Sequence, residues 1–388
     1  MPFASSLRIR VRPLLAAAAL ACLSACSSGK GGKDVGDGGG VWEPGQEWRL
    51  VPRATIGAAD GEGPETFARI VDVELDPMGR VWVADGQQHQ IRVFDSAGTH
   101  VRSIGRKGGG PEEFSGIAGM DWAADGTLWV LDGGNMRFAV YDTAGRFITT
   151  HRRDANIVQT PWILGFDSRG NLYDRASVTS HEDTEVRLVR FTPVLQARDT
   201  FRVPPFEAAA FEVVREQGGN RSIDRVNVPF SPSQAWRIDP EGFVWVAITS
   251  QYRLTRYRFD GTVDRIVTRP VRPRRVTAGQ RRKILENYRG FQQSGGRIDE
   301  SRIPRTHPVI MHFFVADDGH LWVVPFDGKG LVIDVFGPDS RFLGRVSLPR
   351  ALQPSPAPAV RADRMASVVR DADGVEFVLL LRIEKPGR

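Results

Sequence analysis

The stretches "GRVWVADGQQHQIRVFDSAG" (Gly79 to Gly98) and "GTLWVLDGGNMRFAVYDTAG" (Gly126 to Gly145) are two versions of one pattern. In each, an aromatic residue follows a glycine by three positions, and apolar residues alternate with other residues on both sides of a turn. Such alternation, bounded by Gly and Asp, predicts short antiparallel strands. The Gly-to-aromatic spacing recurs, so the fold is repetitive. The aromatic residues of these repeats are Trp82, Trp129, Tyr173, Trp245 and Trp322, with a looser sixth at Phe377.

Each repeat predicts a four-stranded antiparallel sheet, and several such sheets in one chain predict a β-propeller. One small sheet cannot bury both of its faces, so the blades must stack around a ring. The five repeated aromatic residues are expected to fill the space between neighbouring blades. A Trp side chain supplies about 150–250 Å² of surface for this purpose. The sequence therefore predicts an all-β, six-bladed propeller.

In the sixth repeat, "MASVVRDADGVEFVLLLRI", the glycine occupies a different position within the predicted blade than in the other repeats. Its Gly374 lies between what we expect to be the second and third strands, and the chain ends before a further strand. The segment "EWRLVPRATIG" near the N-terminus has the composition of a strand. We therefore expect an N-terminal strand to close the last blade, which removes an exposed sheet edge.

The glycine-rich segment "IGRKGGGPEEF" (residues 104 to 114) raises the question of a phosphate-binding loop. A loop of that kind opens a helix and, in its commonest form, has Gly-Lys followed by Ser or Thr. Here Lys107 precedes Gly-Gly-Gly-Pro, no helix is expected, and "IGAADGEGPETF" is a near copy one repeat earlier. The segment is predicted to connect two blades.

The N-terminus predicts export. Residues 1–25 contain three arginines followed by an apolar run that is too short to span a bilayer. Leu23, Ser24 and Ala25 before Cys26 resemble the lipobox of bacterial lipoproteins, which implies cleavage and lipid attachment at Cys26. Residues 26–46 form a Gly- and Ser-rich flexible tether, and residues 47–388 form the propeller. We expect a cell-envelope protein that is lipid-anchored to the outer membrane and faces the periplasm or the surface.

The charge and the cysteine content exclude only a few kinds of partner and site. The chain has 52 Lys and Arg against 46 Asp and Glu, and loss of Arg8, Arg10 and Arg12 lowers the net charge from +6 to +3. This is close to neutral, so nucleic acid is not an expected partner. The second cysteine, Cys22, lies inside the signal segment, so no disulfide or Cys-based metal site is expected. No cofactor or metal is predicted, and no two of the seven His residues have metal-ligand spacing on one element.

The chain resembles the six-bladed propeller lipoproteins of bacteria and the NHL-repeat and TolB-like propellers. The resemblance is strongest in "GRVWVADGQQHQIRVFDSAGTHVRSIGRKGGGPEEF" and "GTLWVLDGGNMRFAVYDTAGRFI". It implies the six-bladed fold. It does not imply one function, because propellers of this kind serve as binding modules and, more rarely, as enzymes.

Two insertions, about 201–235 and 269–308, lengthen connections between blades, and both are predicted on the same face of the ring. Loops this long are usually functional or disordered. The second contains "TAGQRRKILENYRGFQQ", which predicts one short helix capped by Thr277. We call it the lid helix; Arg281, Arg282 and Tyr288 are its candidate contact residues.

A pocket on this face is predicted to be lined by Trp162, Trp236, Arg302, Arg305 and His307. The sequence favours a membrane-tethered binding module for a protein, peptide or glycan, using the loop-decorated face, over an enzyme. The alternative is a metal-assisted hydrolase, lactonase or lyase with its site in the central channel. No catalytic residue is assigned on either hypothesis.

Overall fold

The computed structural model describes residues 34–35, 40–153, 165–179, 184–217 and 220–386. These residues belong to one compact unit, Gly32–Arg388. The predicted division into signal segment, tether and propeller therefore stays a prediction. Within the described ranges, no helix is long and apolar enough to span a membrane.

The strands are numbered along the chain and assigned to blades in the same order. The first two are β1 (Asp34–Val35) and β2 (Arg49–Ile56). Blade one consists of β3 (Ile70–Leu75), β4 (Val81–Asp85), β5 (Gln90–Phe94) and β6 (His100–Ile104). Blade two consists of β7 (Ile117–Trp122), β8 (Leu128–Asp132), β9 (Arg137–Tyr141) and β10 (Phe147–Arg152). Blade three contains β11 (Leu172–Thr179), β12 (Thr184–Phe191) and β13 (Ala197–Arg202).

The second half of the chain begins with a separate hairpin, β14 (Ala210–Gln217) and β15 (Asn220–Asn227). Blade four consists of β16 (Gln234–Ile238), β17 (Val244–Ile248), β18 (Arg253–Tyr257) and β19 (Val263–Thr268). Blade five consists of β20 (Ile310–Val315), β21 (Leu321–Pro325), β22 (Val332–Phe336) and β23 (Phe342–Ser347). Blade six contains β24 (Ala359–Arg361), β25 (Arg364–Arg370) and β26 (Glu376–Glu384). The helices are α1 (Ala278–Glu286) and α2 (Arg289–Gln293), with short 3-10 turns at Gly133–Asn135 and Glu300–Arg302.

The chain is a six-bladed β-propeller, as predicted. In blades one, two, four and five, four antiparallel strands run in sequence order from the inner to the outer position. Blade three shows three strands, and its inner position is marked by the bridge from Phe166 to Leu172. The segment 154–164, which precedes that bridge, lies outside the described residues.

The N-terminal strand β2 closes blade six, as predicted. It pairs antiparallel with β26 from Arg49 opposite Glu384 to Ile56 opposite Val378. The order β24, β25, β26, β2 places Gly374 between the second and third strands. Residues from opposite ends of the chain thus share one sheet, and the ring needs both to be complete.

The repeated Asp–Gly–aromatic spacing has a local cause, seen clearly in blade one. The backbone N–H of Gly79 donates to the Asp76 carbonyl at 2.9 Å, and Gly79 adopts a φ of +78°, which favours glycine. The Asp76 carboxylate accepts hydrogen bonds from the Arg80 backbone N–H at 2.8 Å and from the Trp82 indole N–H at 3.1 Å. The same carboxylate therefore shapes the turn and orients the aromatic ring.

The five repeated aromatic side chains are buried within or between blades. Trp82 of blade one meets Trp122 of blade two edge to face, with ring centroids 5.3 Å apart. Tyr173 of blade three meets Phe259 of blade four in the same manner at 5.4 Å. The remaining three, Trp129, Trp245 and Trp322, lie in apolar clusters that join neighbouring blades.

The two insertions pack against each other. Hairpin β14–β15, α2 and the 3-10 turn share a small apolar cluster of their own, separate from the clusters between the blades. Phe211, Val228, Phe291 and Ile303 are its buried members. The predicted helix ends earlier than its pattern suggests, at Glu286, and α2 follows after a break. At that break the Tyr288 hydroxyl donates to the Asn227 carbonyl at 2.6 Å, which holds the chain against the hairpin.

Candidate functional site

Two regions of the ring have the polar chemistry of a functional site, and they lie on opposite faces. We call the face where the outer strand of one blade connects to the inner strand of the next the decorated face. The opposite face, where each inner strand turns into the second strand, is called the turn face. Every inner strand runs from the decorated face to the turn face. Each insertion precedes an inner strand, so it lies on the decorated face.

The lid helix α1 begins as predicted. The Thr277 hydroxyl accepts from the Gln280 backbone N–H, and the Gln280 side chain accepts from the Thr277 backbone N–H, which forms a capping box. Arg281 donates to the carbonyl of Glu300 at 2.8 Å and to that of Ile303 at 3.2 Å, so it fastens the helix to the following turn. Arg282 is exposed.

The predicted pocket residues on the decorated face lie in different environments. His307 is buried; its ring stacks on Phe326 with centroids 4.1 Å apart, and its Nε2 atom lies 3.2 Å from Gln280 Oε1. Burial lowers the pKa of His307. Arg302 and Arg305 are exposed, and the Arg302 guanidinium lies 5.5 Å from the Phe211 ring centre. The structure thus places His307 beneath the lid helix and the two arginines at the surface.

Trp236 is 8% exposed and belongs to an apolar cluster shared by blades two, three and four. The Arg175 guanidinium lies 5.5 Å from its ring centre. Trp162 and Cys26 lie outside the described residues. Ligand binding at these positions and lipid attachment at Cys26 therefore stay predictions.

A polar cavity opens on the turn face, away from the pocket residues that the sequence predicts on the decorated face. It has a volume of about 630 Å³ and occupies the central channel. Its lining comes from the inner strands or their turns in all six blades, and from an irregular segment, 354–358, that precedes the inner strand β24 of blade six. This volume lies within the range typical of small-molecule sites.

Strand register explains which side chains reach the cavity. The repeated aromatic of the second strand pairs across the ladder with a residue eight positions earlier on the inner strand. Trp82 pairs with Glu74, Trp129 with Asp121, Trp245 with Arg237, and Trp322 with Phe314. All four of these inner-strand residues line the cavity.

The side of the cavity formed by blades one and two is acidic. We call Asp72, Glu74 and Asp121 the acidic wall. The Asp72 carboxylate accepts from the backbone N–H groups of Val73 and, in blade two, Met120, at 2.9 and 2.8 Å. Asp121 repeats this geometry, accepting from Trp122 at 2.8 Å and from Phe166 of blade three at 2.7 Å. Both carboxylates therefore join neighbouring inner strands, and among the described residues none of the three acidic groups forms an ion pair.

Enclosure by protein shifts the titration of the acidic wall, although each of its side chains keeps some exposure to the cavity. Burial raises the pKa of Asp72 to about 7 against the opposing effect of its two N–H donors. Burial raises the pKa of Asp121 to about 6. Burial and the charges of Asp121 and Asp72 raise the pKa of Glu74 well above its usual range. At neutral pH the wall is therefore partly protonated.

Cationic groups come from other sides of the ring. Arg237 belongs to blade four, which lies opposite blade one, and its Nη1 atom donates to the Trp236 carbonyl at 2.8 Å. Burial lowers the pKa of Arg237 to about 10. Arg361, at the end of β24, is close enough to Glu74 and Asp121 to lower the pKa of each. Arg361 thus lies near the acidic wall, and Arg237 is the cation on the opposite side of the cavity.

A buried histidine lies next to this cavity. His312 shares the inner strand β20 with the lining residue Phe314 and is two positions earlier, so both point to the same side. It is 4% exposed, and within the described ranges neither of its ring nitrogens has a hydrogen-bond partner. The same holds for Nε of Arg237. Burial, with the charge of Arg237, lowers the pKa of His312 to about 3, so the ring is neutral.

The spacing of the repeated aromatic residues could have identified the residues of this cavity from the sequence. Counting back eight positions from each repeated aromatic residue selects Glu74, Asp121, Gly165, Arg237 and Phe314 without coordinates. Our sequence interpretation used the aromatic residues only as packing elements and so missed these neighbours. Among the described residues, no group of three or more His, Cys, Asp or Glu side chains is arranged to hold a metal ion.

These features define a six-bladed β-propeller with a polar central cavity and one decorated face. Residues 67–190 match the model of a domain family described as a 6-bladed β-propeller. The matched stretch covers blade one, blade two and part of blade three. No curated protein matches the chain.

Three solved structures are similar to the chain at low identity. One is a member of the DUF4221 family from Bacteroides vulgatus, with 10% identity, coverage of 88% of this chain and 99% of that chain, and a TM-score of 0.48. The second is a catalytically inactive virginiamycin B lyase from Staphylococcus aureus, with 10% identity, 87% and 100% coverage, and a TM-score of 0.46. The third is a gluconolactonase from Xanthomonas campestris, with 12% identity, 82% and 88% coverage, and a TM-score of 0.42.

Proposed function

We propose that the protein is a binding module of the bacterial cell envelope, anchored through Cys26 and docking an acidic protein or peptide on its decorated face. The N-terminal pattern supports the anchor and the tether, and the resemblance to the six-bladed propeller lipoproteins of bacteria agrees with both. The charge of the second insertion supports the choice of partner.

The observation on which this proposal depends is the concentration of unpaired positive charge in residues 269–308. This segment has eleven Arg or Lys residues and three Asp or Glu residues, although the whole chain has a net charge of only +6. Nine of the basic side chains are exposed, and none of the nine forms an ion pair among the described residues. They are Arg272, Arg274, Arg275, Arg282, Lys283, Arg289, Arg297, Arg302 and Arg305.

Unpaired charge of one sign favours a partner of the opposite sign. Eight of the nine groups are arginines, whose planar guanidinium binds a carboxylate through two parallel hydrogen bonds. A polypeptide segment rich in Asp and Glu offers such carboxylates at close spacing. A neutral glycan offers none, so it fits this surface less well.

The segment that presents the basic surface is held in place by packing and hydrogen bonds. Phe211 of the hairpin meets Tyr288 edge to face at 6.2 Å, and Phe291 is buried in the cluster between the insertions. The Arg281 bonds and the capping box fasten α1 at its start. A partner therefore meets a surface that is already ordered, which reduces the entropy lost on binding.

The test compares charge reversal on the decorated face with charge reversal elsewhere. The full chain and the variant Arg282→Glu/Arg289→Glu are titrated with fluorescent poly-glutamate and with soluble envelope extract followed by cross-linking. We expect the variant to bind poly-glutamate at least tenfold more weakly and to lose its cross-linked partner. Binding by the unaltered chain should also weaken as the salt concentration rises.

The matched control is Arg198→Glu/Arg341→Glu, which reverses two exposed charges on the turn face, near the turns between the last two strands of blades three and five. It should bind like the unaltered chain. Equal binding by all three proteins would exclude the decorated face as the docking surface. Capture of a neutral glycan by all three would point to a different partner class and a different surface.

The anchor is tested separately. Labelled palmitate should be incorporated into the chain expressed in a bacterium, and Cys26→Ser should abolish incorporation and release the protein from the membrane fraction. If Cys26→Ser retains the label, the lipoprotein assignment is wrong, whatever the result on the decorated face.

A further inference from the structure

We infer that the central cavity is a binding site for a short peptide with free termini, held by the acidic wall at its ammonium end and by Arg237 at its carboxylate end. This site is distinct from the decorated face, and the inference does not depend on the proposed docking there.

The first argument is the separation of charge across the cavity. The acidic wall belongs to blades one and two, and Arg237 belongs to blade four on the far side of the ring. Asp72 and Arg237 are close enough for the charge of each to affect the ionisation of the other, but no ion pair joins them among the described residues. The cavity lies between them, so a ligand with both charges can satisfy both sides.

The second argument is the presence of buried polar atoms without partners next to Arg237. Buried donors and acceptors are nearly always hydrogen-bonded in native proteins, so unsatisfied ones need an explanation. Nε of Arg237 and both ring nitrogens of His312 lack a partner among the described residues, and His312 is 4% exposed. A carboxylate bound at Arg237 would accept from the Nε–H of Arg237 and from the single N–H of the neutral His312 ring.

The third argument is size and lining. A cavity of about 630 Å³ is larger than a single amino acid needs and suits a peptide of a few residues. Trp122, Phe314 and the proline-rich segment 354–358 give it apolar surface between the charged sides. Side chains of a short peptide would rest on that surface, while its termini reach the two groups of opposite charge.

The test is calorimetric titration of the full chain with trialanine, N-acetyl-trialanine and trialanine amide at pH 7. We expect trialanine to bind, and blocking of either end to weaken binding at least tenfold. An ammonium placed beside the acidic wall lowers the pKa of its carboxyl groups, so binding of trialanine should also release protons. The heat of binding should therefore differ between phosphate and Tris buffers.

Protein variants assign each end of the peptide. Arg237→Gln should make the acid and the amide bind equally while the effect of N-acetylation persists. Glu74→Gln should reduce the effect of N-acetylation while the effect of amidation persists. Arg198→Gln and Glu62→Gln, which change exposed groups away from the cavity, should leave both effects intact.

Thermal unfolding confirms that each variant is folded. Should Arg237→Gln fail to fold, Glu74→Gln still decides the question, because Glu74 accepts no hydrogen bond from a neighbouring blade within the described residues. Three results would overturn the inference: equal binding of blocked and free peptides, binding of an uncharged trisaccharide alone, or no heat from any of the three peptides at millimolar concentration. None of these results bears on the decorated face.

Discussion

At Gly165, the inner strand of blade three passes so close to Asp121 that a Cβ atom placed on this glycine would lie 2.0 Å from Asp121 Oδ2. The missing side chain lets the carboxylate approach the backbone and accept from the Phe166 N–H at 2.7 Å. Gly165 therefore occupies the position at which other blades place Glu74 or Arg237, and its role is to make room for a neighbour.

We predict that Gly165→Ala lowers the free energy of unfolding by roughly 1–3 kcal/mol, because the added methyl group displaces the Asp121 carboxylate from two backbone amides. Urea denaturation followed by tryptophan fluorescence measures the change. Gly290→Ala is the matched control, since nothing lies within 4 Å of its Cβ position and it is in helix α2. That variant should be as stable as the unaltered chain or about 0.5–1 kcal/mol more stable. Equal effects of the two substitutions would refute the steric explanation.

At the scale of elements, the ring is closed by β2 pairing with β26. Two side chains of β2, Leu50 and Ile56, are 7% and 1% exposed, while most others on the strand are accessible. Without β2, these apolar contacts disappear and β26 presents an unpaired edge. Exposed edges of this kind promote association between chains.

We predict that a chain beginning at residue 57 is less stable than one beginning at residue 49, where β2 starts, and associates at micromolar concentration. Burying two large aliphatic side chains contributes roughly 3–6 kcal/mol. For a domain of this size, such a loss lowers the melting temperature by roughly 4–8 °C. Differential scanning calorimetry and light scattering test the two parts of the prediction. Matching melting temperatures for the two chains would show that β2 is dispensable.

At the scale of the whole molecule, the acidic wall makes stability depend on pH. In the folded chain, Asp72 has a pKa raised from 3.8 to about 7, so between these values the folded state holds a proton that the unfolded state has released. Stability therefore falls as pH rises through this range. Asp121, with a pKa raised to about 6, acts in the same direction.

We predict that the unaltered chain loses more stability between pH 5 and pH 8 than Asp72→Asn does, by about 1–2 kcal/mol. The expected difference in unfolding free energy is modest because these carboxyl groups keep some contact with water in the cavity, which lowers the cost of ionising them. Urea denaturation at several pH values measures the difference. Glu62→Gln, on an exposed loop, should keep the pH dependence of the unaltered chain. A parallel pH dependence in Asp72→Asn would mean that Asp72 is ionised in the fold throughout.

Some features of this fold follow from the sequence, and others depend on contacts between distant residues. The turns of the blades and the lid helix with its Thr277 cap were predictable because their causes are local. The closing strand was predictable because the sixth repeat lacks an outer strand and the N-terminal segment has the composition of one. Asp76, Gly79 and Trp82 form one turn, and their spacing alone is enough to identify it. The break between α1 and α2 was not predictable, since it depends on the Tyr288 hydroxyl reaching Asn227, sixty-one positions away.

The amino-acid order alone determined the blade count, the strand pattern and the strongly basic second insertion, because turns, alternation and charge are properties of neighbouring residues. Only the tertiary structure decided that Glu74, Asp121 and Arg237 face one another around a single cavity. These residues are far apart in the chain and meet because closure of the ring brings every inner strand to the axis. Their convergence is a property of the closed ring, so no single repeat contains it.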